Sequence, residues 1–258
     1  MNIWELFSLK GRVALVTGGS VKYGGCISQG LAEAGATVII TSRTIEKSRK
    51  KADELLKMGF KAEPVQLDIA EEESVRALKK KIISEHGRID ILVNNAVGRS
   101  EPGSSPLQVW QESMRLNAVG LYLCTSVFLE EMVKQKKGNI INIASMYGMV
   151  GQYQAMYPGT GMEAGGIGDY FFHKAGMINY TRFLAARYAP GIRANCISPG
   201  GLFIGQPEKF LENYYRQVPL GRMADEDDIK GAAVYLASDA SAYVTGHNLV
   251  VDGGWTIW

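Results

Sequence analysis

The chain has 258 residues, 46% of them apolar, and a net charge of +2 from 28 basic and 26 acidic side chains. This is apolar enough for a sizeable core, and the near-neutral balance argues against partners held by charge, whether nucleic acid or a membrane surface. Three scattered cysteines, Cys26, Cys124 and Cys196, show no Cys-x-x-Cys spacing, which argues against a disulfide framework or a zinc site and favours a reducing, cytoplasmic setting.

No run approaches the roughly 18 apolar residues of a membrane span. Residues 1–12, with Glu5 early and no long apolar run, do not read as a secretory signal. Apolar, β-rich runs follow at 13–17, 37–41, 64–67, 89–93, 139–144, 192–197 and 249–251. Amphipathic segments lie near 25–34, 44–58, 71–86, 107–136, 170–189 and 225–238. Strands apolar on both faces imply a parallel sheet covered on both sides. Repeated strand–helix–strand units imply right-handed crossovers in a doubly wound α/β fold. The expectation is a single domain over 1–258: a Rossmann-type sheet of about seven parallel strands with helices on both faces. Lys79, Lys80 and Lys81 read as a solvated helix face. The acidic run 225–228 reads as a helix opening, where negative charge complements the dipole.

The first strand runs into Gly18-Gly19-Ser20-Val21-Lys22-Tyr23-Gly24-Gly25, and a helical pattern follows. Strand, glycine turn and helix is the arrangement in which backbone N–H groups and a helix N-terminus cradle a pyrophosphate. The second strand ends Thr41-Ser42-Arg43, without the carboxylate that would accept hydrogen bonds from a ribose 2′-hydroxyl. Arg43, with Lys22, suits a 2′-phosphate instead, so NADP(H) is favoured and NAD(H) stays open.

Between the fifth strand and the next helix, 151–168 holds six glycines and cannot be regular throughout. A loop of this length in a compact domain is usually functional or disordered. Its polar residues include Gln152, Gln154, Thr160 and Glu163, with Tyr153 and Tyr157, and Asp169 follows directly after it.

Taken together, these residues resemble the short-chain dehydrogenase/reductase family over almost the whole chain. Thr17, Gly18 and Gly24 fall on its Thr-Gly-x-x-x-Gly-x-Gly motif, with Lys22 replacing the middle glycine. Asn94-Asn95-Ala96 resembles Asn-Asn-Ala-Gly, with Val97 in place of the glycine and Gly98 next. Tyr170-Phe171-Phe172-His173-Lys174 matches Tyr-x-x-x-Lys, Ser145 the catalytic serine, Asn117 the helix asparagine, and Pro199-Gly200 the pair after the sixth strand. The resemblance implies a cofactor site formed by Gly18, Ser20, Lys22, Tyr23, Gly24, Arg43, Asp68, Ile69, Asn95, Ala96, Val97, Tyr170, Lys174, Pro199, Gly200 and Leu202. Asp68 would hold the adenine amino group. The implied reaction is NAD(P)(H)-dependent interconversion of a secondary alcohol and a carbonyl.

Such a reduction needs a proton as well as a hydride. A tyrosine with a free pKa of about 10 is a poor base near neutrality, and a nearby cation favours its phenolate. Lys174, four residues on from Tyr170, shares its helix face. Ser145 would hydrogen-bond the substrate oxygen. The resemblance adds that Lys174 grips the nicotinamide ribose and that Asn117 binds a relay water. His173 reads as a packed helix–helix histidine, His86 and His247 have no carboxylate cluster nearby in sequence, and no metal site is assigned. Phe171, Phe172, Met177 and Tyr180 read as helix core or a subunit contact.

Twenty-four residues separate Ser145 from Tyr170, more than is usual in the family, so 151–168 reads as an inserted loop beside the catalytic pair. Its polarity points to a sugar, polyol or sugar acid, with Ser145, Tyr147, Gln152, Tyr157, Tyr170 and Phe203 as the substrate-facing candidates. The segment 201–208 is the family's usual substrate-facing region and lacks the threonine often found there. The look is that of the gluconate 5-dehydrogenase and sugar-dehydrogenase branch. The alternatives are a 3-oxoacyl-(acyl-carrier-protein) reductase and a non-catalytic NADP(H)-binding protein. The resemblance also implies a homo-oligomer, tetramer or dimer.

Overall fold

The central strands are apolar on both faces because both faces are covered. The computed structural model describes residues 1–98, 103–162 and 166–258. Among these, Val13–Val16 (β1), Thr37–Ser42 (β2), Lys61–Gln66 (β3), Ile91–Asn94 (β4), Gly138–Ile143 (β5), Ile192–Pro199 (β6) and Asn248–Val251 (β7) form one seven-stranded sheet. Its order is β3-β2-β1-β4-β5-β6-β7, and every pairing is parallel. Helices Lys22–Glu33 (α2), Ile45–Lys57 (α3) and Lys230–Ala237 (α9) cover one face, where Ile27, Leu31, Leu55 and Leu236 meet Val38 and Ile40. Glu72–His86 (α4), Gly120–Gln135 (α6) and Asp169–Tyr188 (α7) cover the other, where Leu78, Phe128, Met132 and Leu184 meet Leu15 and Leu92. Each face buries its own apolar cluster, so one domain spans the chain.

Several boundaries differ from those read in sequence. β3 begins at Lys61, three residues before Pro64, and Pro64 lies opposite Ile40. A proline fits because β3 is an edge strand and owes no hydrogen bond on its free side. The segment read as one helix over 107–136 is continuous but changes pitch: Pro106–Met114 (α5) passes through a π turn, Arg115–Val119, into α6. The stretch Pro106–Gln135 is long and apolar enough to cross a membrane by composition. Here Leu116, Cys124, Val127, Phe128, Leu129 and Met132 are buried, so it is a core helix, and the expectation that no such stretch exists is corrected.

The acidic run does not open α9, which starts at Lys230. Asp228 instead receives two hydrogen bonds from Arg222, at 2.5 and 2.7 Å, and Asp227 pairs with Lys230 at 2.8 Å. Two helices were not read in sequence: Ile3–Phe7 (α1), capped by Asn2 and Glu5, and Glu208–Gln217 (α8).

Candidate active site

The strand order reverses between β1 and β4, and in a doubly wound sheet the ligand crevice opens beyond the carboxyl ends of the strands at that point. The glycine turn sits there. Gly18 takes a left-handed φ of +61°, and a side chain on Gly24 would put its Cβ 2.1 Å from the Gly18 carbonyl oxygen. Only glycine at 24 lets α2 approach so closely. Lys22, where the family has glycine, also adopts a left-handed φ of +51°. The turn therefore keeps a glycine-like path and carries an exposed cation on it. After β4, the Asn95 amide donates to the carbonyls of Thr17 and Gly18 at 3.1 and 3.0 Å. Thr17 Oγ1 receives the N–H groups of Asn95 and Ala96 at 3.0 and 3.1 Å. The two loops are thus tied into one wall. Tyr23 Oη donates to the Gly200 carbonyl at 3.1 Å, bringing the loop after β6 to the same place.

These walls enclose a cleft of about 560 Å³. Gly18, Ser20, Lys22, Tyr23, Gly24, Arg43, Asp68, Ile69, Asn95, Ala96, Val97, Pro199 and Gly200 line it, as do Ser145, Tyr170 and Lys174. Asp68 accepts the N–H of Ala70 at 3.0 Å, which fixes its carboxylate at the cleft edge. Sequence reasoning missed Lys47, which also lines the cleft and makes Lys22, Arg43 and Lys47 a trio of exposed cations. The available signal was spacing: Lys47 stands four residues after Arg43 on the first turn of α3. Thr44, Leu67 and Leu116 also line the cleft and were not singled out, and Ser42 and Gly98, named only as parts of their motifs, line it too.

At the other end, Lys174 is 2% exposed, and its Nζ lies 5.6 Å from the centre of the Tyr170 ring. Nζ donates to the Ile143 carbonyl at 2.5 Å. Burial pulls the Lys174 ammonium down from 10.5 to about 7. Ser145 is buried just beyond β5, and its hydroxyl accepts the Tyr147 N–H at 3.2 Å.

Asn117 lies in the π turn and does not line the cleft. Its amide clamps Gly98 from both sides, accepting from the N–H at 2.9 Å and donating to the carbonyl at 3.1 Å. Leu202 is also outside the cleft lining, paired with Ala224 in an isolated bridge. Tyr147, Gln152, Tyr157 and Phe203 do not line the cleft either. Gln152 Nε2 donates to Tyr157 Oη at 2.7 Å, Tyr157 hydrogen-bonds the Tyr147 phenol, and Tyr147 packs on Phe171 with ring centres 4.8 Å apart. Burial, then Tyr157, pushes the Tyr147 phenol well above its usual range. Phe203 is 52% exposed.

Residues 151–162 of the loop before α7 are anchored rather than open. Met156, 1% exposed, joins Met146, Phe210, Tyr214 and Trp255 in an apolar cluster, and Asn213 on α8 donates to the Met156 carbonyl at 3.0 Å. Glu163 lies outside the described residues. His173 is buried. His86 does have a carboxylate neighbour once folded: its Nε2 lies 3.2 Å from Glu63 of β3.

A glycine turn at the switch point of a parallel sheet, facing a half-buried tyrosine, a buried lysine and a serine, defines a dinucleotide-type oxidoreductase site. A family model described as enoyl-(acyl carrier protein) reductase matches residues 23–256. A 2-dehydro-3-deoxy-D-gluconate 5-dehydrogenase of Bacillus subtilis is 36% identical, covering 97% of each chain. A 3-oxoacyl-(acyl-carrier-protein) reductase of Aquifex aeolicus is 34% identical, over 95% of this chain and 98% of its own. Among solved structures, a gluconate 5-dehydrogenase from Burkholderia cenocepacia in complex with NADP and tartrate is 32% identical. It superposes with a TM-score of 0.87 and covers 100% of both chains. The chain belongs to the short-chain dehydrogenase/reductase family.

Proposed function

We propose that the chain interconverts a secondary alcohol and a carbonyl on a polar sugar, polyol or sugar acid, with NADP(H) favoured over NAD(H). The observation that carries this reading is the convergence of Ser145, Tyr170 and Lys174 on the same cleft as the glycine turn. The cleft suits a dinucleotide by its own chemistry. Gly24 leaves a cradle that a Cβ would fill, and the Lys22, Arg43 and Lys47 cations stand where a 2′-phosphate would be met. When bound, a nicotinamide supplies or accepts the hydride. Gly18, Ser20 and the N-terminus of α2 would hold the pyrophosphate, Asp68 the adenine, and Lys174 the ribose.

In reduction, the Tyr170 hydroxyl gives its proton to the substrate oxygen, and oxidation reverses this. The Lys174 ammonium beside the ring favours the phenolate that this leaves. Ser145 donates to the same substrate oxygen and keeps it within reach. The Asn117 amide is committed to Gly98, so it serves to hold the loop after β4, and a relay water there would need its main-chain carbonyl.

The substrate class rests on the chain of polar groups Gln152, Tyr157 and Tyr147 beside Ser145. The gluconate dehydrogenases among the relatives agree with it. A second reading, reduction of a 3-oxoacyl chain on a carrier protein, is favoured by the Aquifex relative. Turnover on a panel of sugars, polyols and sugar acids against acetoacetyl-carrier thioester decides between them. We also place the enzyme in the cytoplasm, where its three buried free thiols suit a reducing medium, and as a homo-oligomer, tetramer or dimer. Exposed Tyr122, Phe172 and Phe183 on α6 and α7 offer an apolar face for association. Tyr170→Phe tests the mechanism: kcat should fall by about 10²-fold or more, the scale of a general acid–base group, with cofactor affinity preserved. A variant that turns over normally refutes the assignment.

A further inference from the structure

His173 is spent neither on substrate nor on cofactor in the reading above, yet it stands in the middle of the Tyr170–Lys174 pair. It is 5% exposed, and its ring meets the Tyr170 ring edge-on with centroids 5.3 Å apart. On α7 it heads the buried line His173, Met177 and Thr181. The elements packed against α7 include α5 and the π turn, whose buried polar residues are Ser113 and Asn117. Its Nδ1 is fully enclosed and has no hydrogen-bonding partner among the described residues.

A histidine that only filled space would leave that nitrogen at a cost of roughly 1–3 kcal/mol, the penalty for an unmet buried polar group. Buried nitrogens of this kind are ordinarily satisfied by an internal water. We propose that His173 is a positioning residue for the Tyr170–Lys174 pair, its Nδ1 holding an internal water on the path by which the pair exchanges its proton with solvent. The inference rests on Tyr170 being the acid–base group. When the Tyr170 hydroxyl has protonated the substrate oxygen, the phenolate regains a proton that enters from solvent along this path; in oxidation the proton leaves by it. The imidazole takes part by hydrogen bonding and gains no net proton. Burial, and then the Lys174 charge, hold it down to about 4 against a weak opposing pull from Asp169, so it adds no second charge beside Lys174.

Two substitutions separate this role from packing. His173→Phe keeps the ring against Tyr170 and loses Nδ1; His173→Asn loses the ring and keeps a polar atom near the Nδ1 position. With the best substrate of the panel, the Phe variant should lose about tenfold in kcat with KM little changed, less than a group that transfers the proton itself. Its solvent deuterium isotope effect should rise, and the Asn variant should recover most of the rate. Wild-type kcat in the Phe variant, or an Asn variant as slow as the Phe variant, overturns the proposal. An activity-independent arm is a high-resolution crystal structure of the full chain: a water within hydrogen-bonding distance of Nδ1 is expected, and its absence overturns the proposal even if no panel compound is turned over. A normal Tyr170→Phe enzyme would instead bring down the parent reading.

Discussion

Replacing Lys174 by methionine should make the protein more stable and catalytically dead, and the gain should depend on pH in a set direction. The side chain is 2% exposed, and burial moves its ammonium from 10.5 to about 7. Between those values the unfolded chain holds a proton that the folded chain has released, so wild-type stability rises with pH across this window. Below about 7 the folded state is charged too and carries the whole penalty. At roughly 1.4 kcal/mol per pH unit, a displacement of this size is on the order of 5 kcal/mol. Methionine matches the aliphatic stem and removes that penalty, but it leaves the Ile143 carbonyl without its 2.5 Å donor. An unmet buried acceptor costs about 1–3 kcal/mol, so the net gain near pH 6 is about 2 kcal/mol or more. For a chain of this size that is roughly 4–8 °C in Tm. Near pH 9.5 most of the penalty has lifted in the wild type, and the lost hydrogen bond should leave the variant no more stable. Thermal unfolding of both cofactor-free proteins at the two pH values reads this directly. A variant that is less stable than wild type at pH 6, or whose advantage does not shrink as pH rises, would refute the reasoning.

The cofactor wall makes two further predictions. Gly24→Ala sets a Cβ 2.1 Å from the Gly18 carbonyl and 2.4 Å from the Asn95 amide, and backbone cannot yield cheaply there. A stability loss of about 1–3 kcal/mol by overpacking is expected, with at least tenfold weaker cofactor binding, measured by unfolding and by fluorescence titration. Arg43→Ala combined with Lys47→Ala should raise the KM for NADPH about tenfold, equivalent to about 1.4 kcal/mol, while leaving that for NADH within about twofold. An equal loss on both cofactors would show that the pair does not discriminate the 2′-phosphate.

Much of this was legible in the sequence because burial leaves a direct trace there. β1, β4 and β5 are buried at every position, and such strands read as short, predominantly apolar runs bounded by turns, with only Asn94, Asn139 and Asn142 as buried polar residues in them. The proposed catalytic set was legible because its members stand at strand ends or one helical turn apart. What was hidden depends on contacts between distant segments. The π turn adds one residue to a helical coil, which a 3.6-residue period cannot resolve, yet that turn is what buries Asn117 against Gly98. α8 buries only Phe210 and Tyr214, a stripe too short to announce a helix. Its apolar face makes sense only once Met156 and Trp255 arrive from the inserted loop and the C-terminus. The backbone of Lys22 is another case: a lysine gives no hint of a left-handed φ, and the turn imposes it.

The anchoring of the loop before α7 bears on how substrate choice would be built in the proposed reaction. Met156 and its neighbours are held by α8, by Trp255 near the C-terminus, and by Asn213 on the Met156 carbonyl. None of these contacts involves Gly18, Gly24 or Asn95, which fix the cofactor wall through their own hydrogen bonds and close packing. The proposed substrate end is therefore supported mainly by contacts other than those that fix Gly18, Gly24 and Asn95. This end and the cofactor wall meet where Ser145 leads into the Met146–Gly148 turn, where Tyr170 lies in the first turn of α7, and where Tyr214 of α8 accepts the Gly201 N–H at 2.8 Å, next to the Gly200 carbonyl held by Tyr23. Changes in the loop, α8 or the terminal turn can reshape the substrate end while the Tyr170–Lys174 geometry stays put. Such a separation suits a fold whose relatives are named for sugar acids, polyols and acyl-carrier substrates.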